Sequence, residues 1–123
     1  MIIAVVAAAT LAACGQEGID LSEDANQQVS DGAVLFSERC SGCHTLKAAG
    51  TQGTANRSQR AQGPNLDQRK ESYEDAIYAI RNGGFSGAIM PQNIVVGDDA
   101  EAVARFLEEY SGSDADDPSD SGS

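Results

Sequence analysis

A chain of 123 residues with 5% aromatic content and a net charge of -11 has room for one small domain and excludes a multidomain enzyme. The acids gather at the ends. Residues 16–31 carry five and residues 111–123 carry four, with no Lys or Arg in either segment, whereas residues 32–110 hold the other ten acids and all eight bases. No basic stripe with interleaved aromatics exists, which argues against a nucleic-acid ligand.

The chain begins with an apolar, alanine-rich run, Ile2 to Ala13, ending in Leu11-Ala12-Ala13-Cys14. About 12 helical residues reach some 18 Å, well short of a ~30 Å hydrocarbon core, so residues 1–13 read as a signal peptide and not as a membrane span. The run resembles a bacterial lipoprotein leader, although no Lys or Arg precedes it. That resemblance implies cleavage before Cys14 and a lipid on its sulfur; the alternative is an ordinary secretory leader with an incidental cysteine. Residues 14–31 are polar, acidic and poor in large apolar side chains, which predicts a flexible, lipid-anchored spacer.

Three helices follow and no convincing strand. The first is expected around Gly32 to Cys40, capped by Ser30 or Asp31, with Ala33, Phe36 and Cys40 on one stripe. The second is expected from Ser72, with Asp75 completing a capping-box-like pair and Ala76, Ile77 and Ile80 buried, and it should stop at Asn82-Gly83-Gly84. The third is expected from Asp98 or Asp99 to Tyr110, with Ala102, Val103, Phe106, Leu107 and Tyr110 at helical spacing. The fold class is therefore all-α, with a domain over 32–110 and a disordered acidic tail over 111–123.

Between the first two helices lies Cys40-Ser41-Gly42-Cys43-His44, the most specific signal in the chain. Two thiols three residues apart can add to the two vinyl groups on one edge of a haem, and the imidazole directly after them is delivered to the iron face. A covalent haem also suits a domain of roughly 80 residues, which buries too little apolar surface to be comfortably stable without a staple. Other readings of these residues are weaker. A zinc site lacks a second ligand pair, a thiol-disulfide exchange motif lacks its β-α-β setting, and a disulfide closing so small a ring would stabilise little.

His44 is the sole histidine, so a second imidazole ligand within the chain is excluded. Met90, in Gly87-Ala88-Ile89-Met90-Pro91, is the one methionine outside the leader. A methionine taken alone is usually core filler; beside a haem motif it becomes the candidate for the sixth coordination position. With His44 and Met90 both on the metal, iron has no open site, so the expectation is an electron carrier and not an enzyme, with no small-molecule substrate.

These landmarks resemble the class I c-type cytochromes, specifically the short single-haem bacterial forms, over nearly all of residues 32–110. The resemblance implies the cytochrome c fold, with three or more helices wrapped around one haem c. It assigns Cys40 and Cys43 to attachment and His44 and Met90 to the iron. It also makes Pro64, in Gly63-Pro64-Asn65-Leu66, the residue whose carbonyl accepts a hydrogen bond from His44, and sets Phe106 against the glycine of the first helix. Phe36, Leu66, Ile77, Ile80, Ile89 and Phe106 are expected as walls of the haem crevice.

The segment 45–62 is longer than in the shortest members and holds Lys47, Arg57 and Arg60 without an acid. It reads either as a solvated insertion or as a basic patch near the haem edge that steers an acidic partner. The expected role is to shuttle electrons between membrane redox complexes, such as a quinol-oxidising complex and an oxidase, from an extracytoplasmic or periplasmic, membrane-anchored position. A fixed haem subunit of a larger oxidase or dehydrogenase and a haem-based gas sensor are the alternatives.

Overall fold

The computed structural model describes residues 18–52, 63–85 and 89–115. Its elements are α1 (Gln27–Arg39), β1 (Thr45–Leu46), a 3-10 turn (Lys47–Ala49), β2 (Thr51–Gln52), α2 (Tyr73–Asn82) and α3 (Gly97–Tyr110). Helices dominate, in keeping with the all-α expectation. The strands are a two-residue antiparallel pair, with Thr45 opposite Gln52 and Leu46 opposite Thr51, which the sequence reading did not anticipate.

The domain frame is the crossing of α1 and α3. A Cβ on Gly32 would lie 2.1 Å from the Ala102 carbonyl oxygen and 2.9 Å from Phe106 Cβ, so only glycine lets the two backbones meet. Around this point Ala33, Phe36, Val103, Ala104 and Phe106 are almost fully buried, and the Phe36 and Phe106 rings meet edge to face at 5.8 Å. Phe106 thus stands where the resemblance placed it.

α2 forms as its sequence dictates. Ser72 Oγ accepts the Asp75 N–H at the start, and Gly83, at φ +73°, ends the helix in the left-handed region. Ala76, Ile77 and Ile80 face the core, as expected. α3 starts at Gly97, one or two residues before the expected position, without a side-chain cap.

The domain boundaries need correction at both ends. α1 begins at Gln27, capped by Asn26 through its side-chain oxygen and the Val29 N–H, and not by Ser30 or Asp31. Ahead of it Ile19, Leu21 and Ala25 pack against the core, and Ser22 donates its backbone N–H to the Tyr110 hydroxyl. Residues 18–31 are therefore part of the domain and not a spacer, because scattered apolar residues find tertiary partners that local composition does not reveal. At the other end Ser111 is buried and accepts the Glu71 N–H, Gly112 donates to the Leu66 carbonyl and Asp114 to the Asp67 carbonyl. The tail joins the fold through residue 115 by backbone bonding, with no large apolar side chain involved. The leader, Cys14 and residues 116–123 lie outside the described residues, as do Arg57 and Arg60.

Candidate functional site

The motif lies at the C-terminal end of α1. Cys40 caps that helix, donating its N–H to the Phe36 carbonyl, and its own carbonyl accepts the N–H groups of Cys43 and His44. This tight turn keeps both sulfurs and the imidazole on one side of the chain. No disulfide joins the two cysteines; Cys40 is buried and Cys43 half-buried. Burial pushes the Cys40 thiol up to about 12, and the neighbouring Cys43 adds to the shift. Without haem on its sulfur, Cys40 is accordingly a neutral thiol at neutral pH.

His44 is fixed from three directions. Its Nδ1 lies 2.9 Å from the Pro64 carbonyl oxygen, and since a carbonyl only accepts, the proton sits on Nδ1 and the Nε2 lone pair is free for a metal. Its carbonyl accepts the Thr51 hydroxyl at 3.0 Å. Gly63 lies flat against the ring: a Cβ there would come within 2.4 Å of Cε1 and 2.6 Å of Nδ1. Gly63 itself is tied back to the motif by donating its N–H to the Cys43 carbonyl at 2.7 Å.

Met90 enters from the segment after α2. Gly83 packs against it, where a Cβ would come 2.6 Å from the Met90 carbonyl oxygen, and the Asn93 N–H donates to the Ile80 carbonyl at 2.8 Å. The turn that ends α2 thus sets where Met90 stands.

All five expected site residues, Cys40, Cys43, His44, Pro64 and Met90, line a single cleft of about 340 Å³. That size lies in the range of small-molecule and cofactor sites. Its walls are chiefly apolar. Phe36, Leu66, Ile80 and Ile89 are among them as expected, but Ile77 and Phe106 are not, being turned into the helix packing. Ala76, Ala79, Phe85, Ile94, Val103 and Leu107 also line it. Ala76, Ala79 and Ile80 recur on one face of α2, and Val103 and Leu107 are i, i+4 neighbours on α3, so helical periodicity was the available signal for them.

Three charged residues also border the cleft, Arg39, Arg69 and Glu71. Arg69 pairs with Glu71 at 2.6 Å and its guanidinium carbon stands 5.4 Å from the centre of the Phe85 ring. The Glu71 carboxyl is held above its ordinary range by burial, which together with nearby Asp75 outweighs the opposing pull of Arg69. At the rim Tyr78 and Phe85 stack at 5.6 Å, both about half exposed, and Ile89 is 68% exposed. Lys47 of the basic segment is an exposed residue paired with Asp114. Among the described residues no helix is long and apolar enough to cross a membrane, and no cluster of three or more His, Cys, Asp or Glu could hold a metal ion.

The donor set fits a covalent haem. Two cysteine sulfurs not tied in a disulfide, one imidazole with a free Nε2 and one thioether border an apolar cleft, and Gly63 lies so close to the imidazole that a methyl group would displace it. Comparison with known proteins agrees. The family model for cytochrome c matches residues 29–111. Among solved structures the chain is similar to the c-type cytochrome SorU from Sinorhizobium meliloti, at 33% identity and a TM-score of 0.55, over 69% of this chain and 92% of that one. No curated protein matches significantly. With residues 29–111 matched and a cleft that fits the cofactor, the chain belongs to the cytochrome c family, carries a covalently bound c-type haem, and functions in haem-based electron transfer.

Proposed function

We propose that this protein is a single-electron carrier whose haem is bonded through Cys40 and Cys43 and whose iron is held between His44 and Met90. The observation that carries this reading is that these four side chains, distant in sequence as two groups, border one apolar cleft. When bound, the haem supplies reversible one-electron oxidation and reduction of its iron. The residues of the chain do the rest. Pro64 holds the proton on His44 Nδ1 and so presents Nε2 as a lone pair. The Met90 thioether, as a ligand, would favour the ferrous state and raise the potential relative to a second imidazole. The apolar lining from α2 and α3 excludes water, which keeps reorganisation small. With both positions filled by protein, no substrate coordinates, so the protein carries electrons and catalyses no reaction of its own.

The reading extends to location. An apolar leader ending in Leu11-Ala12-Ala13-Cys14 supports export and a lipid on Cys14, which would confine the carrier to an extracytoplasmic membrane surface. Its partners there are membrane redox proteins, a quinol-oxidising complex as donor and an oxidase as acceptor.

The test is an optical spectrum of the matured protein, oxidised and reduced, with haem staining after denaturation. Stain retained on the chain, a low-spin spectrum and slow carbon monoxide binding by the reduced form are expected. Rapid carbon monoxide binding would remove Met90 from the iron and favour a gas sensor. A colourless chain with both thiols free would overturn the proposal.

A further inference from the structure

Asp67 is among the most deeply buried side chains of the molecule, 2% exposed, and no part of the electron-carrier reading uses it. It follows Pro64 by three residues, and its partner Lys47 follows His44 by three. Asp67 Oδ1 accepts the Lys47 backbone N–H at 2.9 Å. That N–H opens the 3-10 turn Lys47–Ala49, whose preceding residue Leu46 supplies no side-chain cap, so a carboxylate from another segment caps it instead. Between the two positions the Leu66 N–H donates to the Thr45 carbonyl at 2.9 Å. The His44–Pro64, Thr45–Leu66 and Lys47–Asp67 links therefore run side by side between two chain segments.

The remaining bonds of Asp67 fix it from its own side. Its N–H donates to Asn65 Oδ1 at 2.9 Å, which shapes the turn after Pro64. Its carbonyl accepts the Asp114 N–H, and the Ser113 hydroxyl donates to Oδ1 at 3.4 Å. A buried carboxylate costs free energy unless its oxygens find donors, and these contacts explain how it is tolerated. They leave open why a carboxylate stands there at all.

We infer that Asp67 is a positioning residue for the iron ligand: by clamping residue 47 to residue 67 it holds the Pro64 carbonyl in register with His44 Nδ1. This rests on the reading of His44 as ligand. With the clamp open, the two segments remain joined at Cys43–Gly63 and Thr45–Leu66, but the His44–Pro64 bond loses its support on the Lys47–Asp67 side and becomes freer to lengthen and to admit water. A histidine whose Nδ1–H is weakly held is a poorer electron donor to the metal, so the ferric state loses stabilisation.

The test uses the haem-loaded protein and two readouts, the midpoint potential and the exchange rate of the His44 Nδ1 proton followed by NMR. Asp67→Ala is expected to raise the potential and to speed exchange about tenfold, the factor that losing one hydrogen bond commonly carries in an opening equilibrium. Asp67→Asn, which keeps an acceptor oxygen, should restore both. Should Asp67→Ala fail to accumulate, Lys47→Pro removes the same bond from the donor side; the extended Leu46, at φ -157° and ψ 113°, accepts a following proline, and Lys47→Ala controls for the lost charge. The same changes are expected from Lys47→Pro and none from Lys47→Ala. If the bond-breaking variants lower thermal stability while potential and exchange stay at the wild-type values, Asp67 is only structural and the inference fails. If the unaltered protein gives no iron-shifted His44 resonance, the ligand assignment itself fails, and the inference with it.

Discussion

His44 and Met90 reach the same cleft from supports of unlike construction. The His44 wall is laced together at short intervals: Cys40 to His44, Cys43 to Gly63, His44 to Pro64 and Thr45 to Leu66 are joined by hydrogen bonds of 2.7 to 3.0 Å, with Gly63 packed flat on the ring. Met90 instead follows the end of α2, where the described support is two positive-φ glycines, Gly83 and Gly84, with the Gly84–Ala79 and Asn93–Ile80 bonds, and its neighbour Ile89 faces solvent. A perturbation of the first wall reaches the imidazole directly, because no slack separates it from the lattice of bonds. On the second wall a perturbation is absorbed by one turn. His44 is thus placed by over-determined geometry and Met90 by fewer described bonds, so of the two side chains proposed to hold the iron Met90 is the one expected to yield.

The largest effect that would break this contrast is expected from Gly63→Ala. A methyl group has to occupy space held by three atoms of the His44 ring, so the variant should lose about 3 kcal/mol and most of its haem. Haem stain per mole of chain checks this; full loading would mean that the wall has slack after all. Gly83→Ala probes the other wall, combining an unfavourable positive φ with a close approach to the Met90 carbonyl. About 2 kcal/mol is expected, with haem retained and carbon monoxide binding accelerated. Met90→Ala should cost less, about 1 kcal/mol in thermal denaturation, because the side chain is half-buried, while changing the spectrum to that of an open iron site.

The smallest effect concerns pH. The Glu71 carboxyl is raised above its ordinary value of 4.5 in the folded protein, so its neutral form is favoured on folding. Its contribution to stability is full below that ordinary value and is lost as pH climbs through the raised one. Calorimetry should find a shallower decline over this window in Glu71→Gln than in the wild-type protein, with no change at the His44 resonances. Identical pH profiles would show that burial does not govern this carboxyl.

What the sequence discloses follows from how local each determinant is. α2 was legible to within a residue because Ser72 and Gly83 are end signals written in the helix itself, and the attachment motif was legible because its chemistry resides in five consecutive residues. The start of α1 was not. Asn26 caps a first turn with Val29 as its sole buried residue, and Ile19 and Leu21 pack by tertiary contact with no periodic pattern. The order of residues 111–115 rests on backbone bonds to Leu66 and Asp67 and on the Ser111 hydroxyl accepting the Glu71 N–H, which composition does not encode. Ile77 and Phe106 were correctly expected to be buried and wrongly expected in the cleft, since periodicity identifies a buried face without saying which neighbour it meets.

The near-contact of Gly32 with Ala102 also bears on how the molecule is made. It joins segments from opposite ends of the domain, and such distant contacts are slow to form and come late along the growing chain. Until α3 has packed, the cleft beside the Cys40 turn lacks the apolar wall that Val103 and Leu107 supply. The architecture therefore leaves an interval before α3 docks in which Cys40, buried in the finished fold, is more accessible.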